Sequence, residues 1–178
     1  MTPLRKRALA WVLGTVAAAA VVAQAYIHFV PWSISWNLTP SIPTGLYGSR
    51  TYAGEQLNRG DLVCFRYREP VWATGRAYFP AGYRLCKPVA GLPGDVVRKS
   101  AGRVQVLSAG TVVVDLPVAS QDRKGRALQT DLLEEGVVPA GKLVLLAPRF
   151  PNSLDSRYLG LVPHSELTHQ VWPLWVKE

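Results

Sequence analysis

Two cysteines, three histidines and one methionine are all that this chain of 178 residues provides of those types. Two cysteines are too few for a disulfide framework, and Cys64 and Cys86 fit no metal-binding spacing. His28 lies in an apolar N-terminal segment, while His164 and His169 stand near the C-terminus. A metal centre is therefore not expected, and no motif calls for a cofactor. Acidic residues are also scarce, with 12 Asp and Glu against 20 Lys and Arg and a formal net charge of +8. A basic balance indicates nucleic acid only where the cations cluster on one face. Past Arg5, Lys6 and Arg7 the cations are scattered singly or in pairs. The expected partner is an anionic membrane surface, and nucleic acid is not expected. Beyond the first thirty or so residues no segment keeps a 3.6-residue apolar period over three turns, so long amphipathic helices are missing too. There is no internal repeat and no linker that would mark a second domain.

Apolar sequence is what the chain has in excess, at 48% hydrophobic residues against 18% charged. Much of it lies in one run. After a basic head, residues 1–7, residues 8–30 are apolar apart from Gln24 and His28. Roughly 20 such residues span a bilayer as helix. The Arg5-Lys6-Arg7 cluster would hold the N-terminus in the cytoplasm, leaving residues 31–178 beyond the membrane. Trp32 and Trp36 fall where interfacial aromatics belong. The rival is a cleaved signal peptide, because Ala23-Gln24-Ala25 has the form of a cleavage site. The run is long for a signal peptide and continues past that site as Tyr26-Ile27-His28-Phe29-Val30, which favours an uncleaved anchor.

From Trp36 the pattern changes to short apolar runs separated by Gly/Pro turns. Strands are expected at residues 61–67, 83–90, 96–98, 103–107, 111–116 and 142–146. Several short strands of this kind argue a mainly β fold, an antiparallel barrel or sandwich-like domain. Residues 120–128 read as an exposed loop.

Two stretches carry reactive side chains in unusual settings. In Asn37-Leu38-Thr39-Pro40-Ser41-Ile42-Pro43-Thr44-Gly45-Leu46-Tyr47, two prolines fix the backbone around Ser41 and press Thr39 and Ile42 toward extended conformations. Residues two apart in an extended segment share a face, so the hydroxyls of Thr39 and Ser41 are expected on the same side. Taken alone, the stretch reads as a stiff turn before it reads as a nucleophile loop. Lys87 is flanked two residues away by Leu85 and Val89 on its own strand face. Either its ammonium snorkels to water, or burial lowers its pKa. At the ordinary value near 10.4, about one lysine in 2,500 is neutral at pH 7, and burial can remove 3–5 units of that. A neutral lysine can take a proton from a serine hydroxyl, as in Ser-Lys nucleophile-base pairs.

The order of these pieces resembles a family. A basic head and an apolar anchor precede the Ser-x-Pro loop. Then come Arg59-Gly60-Asp61-Leu62-Val63, Lys87 ahead of Leu92-Pro93-Gly94-Asp95, and finally Asn152-Ser153-Leu154-Asp155-Ser156-Arg157-Tyr158-Leu159-Gly160-Leu161-Val162-Pro163. Over essentially the whole chain this is similar to the type I signal peptidase superfamily of membrane-bound Ser/Lys proteases. The segment Asn37 to Tyr47 is most similar to its conjugative-transfer branch, the TraF peptidases. The resemblance implies a signal-peptidase-like antiparallel β-domain in the periplasm, anchored by a single pass in the inner membrane. It implies Ser41 as nucleophile, Lys87 as general base, Thr39 with the Ser41 N–H as oxyanion hole, and Ser153 as a residue orienting the lysine. Asp155 matches a family aspartate implicated in activity, or else a structural salt bridge to Arg157; both roles stay open. The implied substrate is a pilin or other exported precursor, within an apparatus of conjugative transfer proteins, with hydrolysis and cyclisation both open. A general signal peptidase and a non-catalytic pilus assembly factor are the other readings. Two positions depart from the housekeeping pattern. Ala147-Pro148-Arg149-Phe150 stands where Gly-Asp-Asn-Arg is usual, and Pro88 stands where a basic residue commonly follows the lysine. In a periplasmic domain Cys64 and Cys86 are either a disulfide or two buried thiols.

Overall fold

The computed structural model of the chain describes residues 3–29 and 32–177. It divides into two units, Met1–Ser33 and Ile34–Glu178. In the first, α1 (Pro3–Phe29) is a single helix. Its apolar stretch Arg7–Tyr26 covers 20 residues, and every described side chain along it is exposed. At 1.5 Å per residue that is about 30 Å, the thickness of a bilayer's hydrocarbon core. The helix is apolar all round, which suits lipid better than one protein groove. Thr15 returns its hydroxyl to the carbonyls of Trp11 and Val12 at 3.1 and 2.9 Å, so that polar group is paired within the helix. The helix fits a single-pass membrane anchor. Met1 and Thr2 of the basic head, and Val30 at the end of the expected span, lie outside the described residues.

The second unit is mainly β. The described residues form eleven strands: β1 (Trp32–Asn37), β2 (Thr44–Thr51), β3 (Leu62–Arg66), β4 (Arg84–Gly91), β5 (Val96–Ser100), β6 (Arg103–Ser108), β7 (Thr111–Pro117), β8 (Gly136–Val137), β9 (Lys142–Leu145), β10 (Val162–Pro163) and β11 (Leu167–Lys177). One sheet has the order β1-β2-β11-β3-β4-β9-β10 and the other β7-β6-β5-β8. The pairings from β2 onward are antiparallel. A short α-helix, α2 (Ser156–Leu159), follows Asp155, and two 3-10 turns lie at Val71–Ala73 and His164–Glu166. All six strands expected from the sequence are present, within one or two residues at most ends.

Strand β9 ties the interior together. Leu143 and Leu145 belong to one apolar cluster with Val63, Phe65, Leu85 and Val89. Val144 and Leu146 belong to another, with Ala90, Val97, Val104 and Val106. Alternate side chains leave opposite faces of a strand, so this continuous apolar run fills two cores at once. Two sequence boxes also meet here. Arg59 binds the Asp95 carboxylate at 2.8 Å and donates to the Ala90 carbonyl, while Asp95 accepts from the Leu92 N–H at 2.7 Å. The Arg59-Gly60-Asp61 turn and the Leu92–Asp95 turn are thereby pinned to each other.

The C-terminal strand was not legible as such. β11 is the longest strand and inserts between β2 and β3. The tryptophans divide accordingly. Val171 is buried, and the Trp172 ring lies so close over Gly48 that a Cβ there would sit 2.4 Å from it. Leu174 and Trp175 are exposed, as are Ile34, Trp36 and Leu38, and the rings of Trp36 and Trp175 meet with centroids 5.6 Å apart. Trp72 is half-buried and donates to the Tyr158 carbonyl at 3.2 Å.

Cys64 and Cys86 face each other across β3 and β4 and are joined by a disulfide. The bridge sits beside Ile42, Tyr47 and Val171 in a third apolar cluster. Cross-linking residues 22 apart removes chain entropy from the unfolded state worth about 3 kcal/mol. Replacing both cysteines by alanine is expected to lower stability by about that amount, read from denaturant unfolding of the oxidised protein against the variant. Equal midpoints would show that the bridge contributes nothing.

Candidate active site

The Ser41 loop owes its shape to a residue with no role assigned above. Asn37, the last residue of β1, donates through Nδ2 to the carbonyls of Thr39, Ile42 and Pro43 at 2.8, 3.2 and 3.0 Å. Its Oδ1 accepts from the Thr39 N–H at 3.1 Å and from the Thr39 hydroxyl at 2.7 Å. One amide therefore braces both limbs of the turn. Tyr47, buried on β2, adds a bond from its hydroxyl to the Pro43 carbonyl at 2.7 Å. Burial raises the Tyr47 pKa, and the nearby Arg149 charge opposes the rise. Gly45 is required where the loop enters β2. Its φ is +149°, and a Cβ there would lie 2.2 Å from the Trp175 carbonyl oxygen. Ser41 is half-buried and Ile42 is buried. The Thr39 hydroxyl is committed to Asn37 in this structure, so it must rotate to donate elsewhere.

Lys87 occupies β4 opposite Val63 on β3. It is only 2% exposed. Burial draws its pKa down from 10.5 to about 8; the Asp155 charge opposes the fall, and the Arg157 charge adds to it. The following proline has a local explanation. Val89 exchanges both backbone bonds with the β3 side, through Asp61 and Gly60, so the nitrogen of Pro88 faces β9. The ladder to β9 is thinning there, with its last bond from the Leu146 N–H to the Pro88 carbonyl at 3.2 Å. A residue without an N–H is tolerated where a ladder ends.

Asp155 and Arg157 form the polar centre behind the lysine, at 0% and 1% exposure. Asp155 Oδ1 accepts from Arg157 Nε at 2.9 Å and from the Arg157 backbone N–H at 3.2 Å. Its Oδ2 accepts from Arg157 Nη2 at 2.9 Å and from the Ala147 N–H at 3.0 Å. Arg157 Nη1 donates to the Pro117 carbonyl at 2.7 Å. Burial lowers the Arg157 pKa, but the hydrogen bonds and charge of Asp155 outweigh it and the net direction is upward. Asp155 also caps α2, and the Ser156 hydroxyl accepts from the Leu145 N–H at 2.9 Å. Ser153 is 2% exposed, and its Oγ has no hydrogen-bond partner among the described residues.

The third apolar cluster relates the two reactive stretches. It contains Ile42, the neighbour of Ser41, and packs against Cys86, the neighbour of Lys87. Asp155 and Arg157 are within electrostatic reach of Lys87. Asn37 and Tyr47 brace the Ser41 loop, and sequence reasoning passed over both. The signal was there in part, since Asn37 opens the stretch and lies two residues before Thr39.

Comparison with known proteins places these residues in context. The family model for signal peptidases, peptidase S26, matches residues 5–175. The chain is 33% identical to a conjugal transfer protein TraF of Agrobacterium fabrum over 185 residues, covering 97% of this chain and 98% of that protein. It is 34% identical to a conjugal transfer protein TraF of Agrobacterium tumefaciens over 183 residues, covering 96% of each. Among solved structures, a signal peptidase I from Enterococcus faecalis V583 aligns at 23% identity with a TM-score of 0.37, covering 64% of this chain and 94% of that one. The match along nearly the full length, with the family order of boxes intact, makes this chain a member of the signal peptidase S26 family of serine proteases.

Proposed function

We propose that this chain is a membrane-anchored serine endopeptidase of a conjugative transfer system, processing a pilin precursor through an acyl-enzyme on Ser41 with Lys87 as general base. The observation that carries the reading is the burial of Lys87, which brings its pKa to about 8. At that value roughly a tenth of the side chain is free base at pH 7. The family match over residues 5–175, which takes in both Ser41 and Lys87, supports their pairing. Full-length similarity to two conjugal transfer proteins supports the transfer system. The Cys64–Cys86 disulfide supports a domain on the periplasmic, oxidising side of the inner membrane.

The steps follow from the chemistry of the groups. Neutral Lys87 takes the Ser41 hydroxyl proton as Oγ attacks the scissile carbonyl. The oxyanion is held by the Ser41 N–H and by the Thr39 hydroxyl, once rotated from Asn37. The Lys87 ammonium then returns its proton to the departing amine. The remaining ester is opened by water, giving a linear product, or by the precursor's own N-terminal amine at high effective concentration, giving a cyclic one. Asp155 acts as a positioning residue, through its charge on Lys87 and its bonds to Arg157. The exposed aromatic group around Trp36 and Trp175 provides a surface for lipid contact.

Three outcomes test this reading. Ser41→Ala in the full-length protein is expected to reduce cleavage of pilin precursor at least about 10³-fold. Product mass is the readout, with a cyclic product lighter than the linear one by one water. Undiminished cleavage by Ser41→Ala would sink the nucleophile assignment.

Lys87→Met is expected to abolish cleavage and yet stabilise the fold. The folded pKa of about 8 lies below the unfolded value of 10.5, so charging Lys87 in the folded state costs up to about 3 kcal/mol. That cost is fully present below pH 8 and disappears as pH rises toward 10.5. Unfolding of Lys87→Met and wild type should therefore differ most at pH 7 and converge at high pH. The wild-type pH-rate profile should have its lower limb near 8; a limb near 10 would count against a depressed lysine.

Asp155→Asn removes a charge that raises the Lys87 pKa and leaves the Arg157 charge that lowers it. The lower limb of its pH-rate profile should move to lower pH. Stability should fall by about 3–5 kcal/mol, because a buried guanidinium loses its partner. An unchanged limb would limit Asp155 to a purely structural role.

A further inference from the structure

The segment 120–128 is the exposed loop expected from the sequence, and its own hydrogen bonds order it. Asp122 holds it closed. Its Oδ1 accepts from the N–H groups of Lys124 and Arg126 at 2.8 and 3.0 Å. Its Oδ2 accepts from Arg126 Nε at 2.7 Å and from the Tyr78 hydroxyl at 2.6 Å. The Tyr78 bond comes first among the causes that hold the Asp122 pKa down. Arg126 in turn lies over the Tyr78 ring, 4.9 Å from its centroid. The turn therefore presents Arg123 and Lys124 in a fixed position. Arg123 lies over the Phe150 ring at 5.4 Å.

The loop lines a cleft of about 290 Å³ together with Phe79, Phe150, Leu154, Tyr158 and Ser153. The volume lies at the lower end for ligand clefts, enough for one or two side chains. Three features define what fits. The walls are largely aromatic and aliphatic. The two cations at the turn have no carboxylate within ion-pair distance among the described residues, since Asp122 is taken by Arg126. Ser153 adds a buried hydroxyl that lacks a partner, and a buried polar group in that state is completed by a ligand or water.

We propose that this cleft is a subsite for a peptide segment of the substrate in which an apolar side chain lies next to a carboxylate. The apolar side chain fills the space between Phe79 and Phe150. The carboxylate meets Arg123 and Lys124, and a backbone group of the segment pairs with the Ser153 hydroxyl. Ser153 lines the cleft and stands two residues before Asp155 in the chain. The source of the peptide rests on the protease reading above, but occupancy of the cleft does not require turnover.

The test therefore uses full-length Ser41→Ala protein in non-ionic detergent. Calorimetric titration compares the acetylated peptide Ala-Leu-Asp-Phe-Glu with its amide counterpart Ala-Leu-Asn-Phe-Gln. The acidic peptide is expected to bind about tenfold more tightly. Arg123→Glu combined with Lys124→Glu should remove that advantage, and high salt should weaken it. Lys124→Ala, a milder change at an exposed position, should cost about threefold and keeps the test valid if the double variant misfolds. Equal affinity for the two peptides, no saturable binding, or binding unaffected by these substitutions would overturn the proposal. So would charge-dependent binding to phosphatidylglycerol vesicles without peptide binding, which would make the cations a lipid contact. Cleavage surviving in Ser41→Ala would overturn the nucleophile assignment and leave the binding result standing.

Discussion

A guanidinium at 1% exposure is tolerable only if each of its three nitrogens finds a hydrogen-bond partner. Arg157 meets this condition through Asp155, which takes Nε and Nη2, and through the Pro117 carbonyl, which takes Nη1. Desolvating such a pair costs several kcal/mol per ion, and geometry of this quality is needed to offset it. The remaining acceptor capacity of the carboxylate goes to the backbone at Ala147 and Arg157. The pair therefore joins three places that are far apart in sequence: the end of β7, the loop leaving β9 and the start of α2. Take it away and the 147–155 loop has no fixed course, and the region behind Lys87 has no fixed charge.

Lys87 depends on that arrangement in two opposite ways. The apolar side chains around β4 deprive its ammonium of water, which drives the pKa down. The Asp155 carboxylate pulls it up, and Arg157 pushes it down again. A neutral ion pair placed near a buried base tunes it modestly, whereas a lone carboxylate would hold the lysine protonated. A buried, close to neutral pair is thus compatible with a lysine that titrates near 8, and a lone buried carboxylate would not be.

Much of this could be read from the sequence, and the limits were physical. Strands such as Leu143–Leu146 are continuous apolar runs between turns, and runs of that kind are visible without contacts. The family order of boxes marked Ser41, Lys87 and the Asp155–Arg157 segment. β11 was obscured because Trp172, Pro173, Leu174 and Trp175 suggest a membrane-facing or core segment. Its place between β2 and β3 depends on pairing with residues more than a hundred positions away, and the register shifts between Pro173 and Trp175. Asn37 was missed because its role is carried by hydrogen bonds to carbonyls of Thr39, Ile42 and Pro43, and backbone acceptors leave no mark on residue identity. The 120–128 loop is exposed, as its charged residues indicated, but the bonds of Asp122 to Tyr78, Lys124 and Arg126 that order it depend on a partner more than forty residues away.

The alternation of β4 explains why a disulfide, a base and a proline can occupy three successive positions. Cys86 points to the face where Ile42, Tyr47, Cys64 and Val171 pack, and there the bridge fixes β4 to β3 beside the Ser41 loop. Lys87 leaves by the opposite face, flanked by Leu85 and Val89, which belong to the main core. Pro88 turns its missing donor toward β9 at the point where that ladder ends. Had the register slipped by one residue, the lysine would enter the cluster beneath the Ser41 loop and the cysteine would enter the main core, out of line with Cys64. The direct pairing of Cys64 with Cys86 and of Val63 with Lys87 therefore secures both features at once. A covalent bond on one face holds the strand so that the titrating side chain on the other keeps its place.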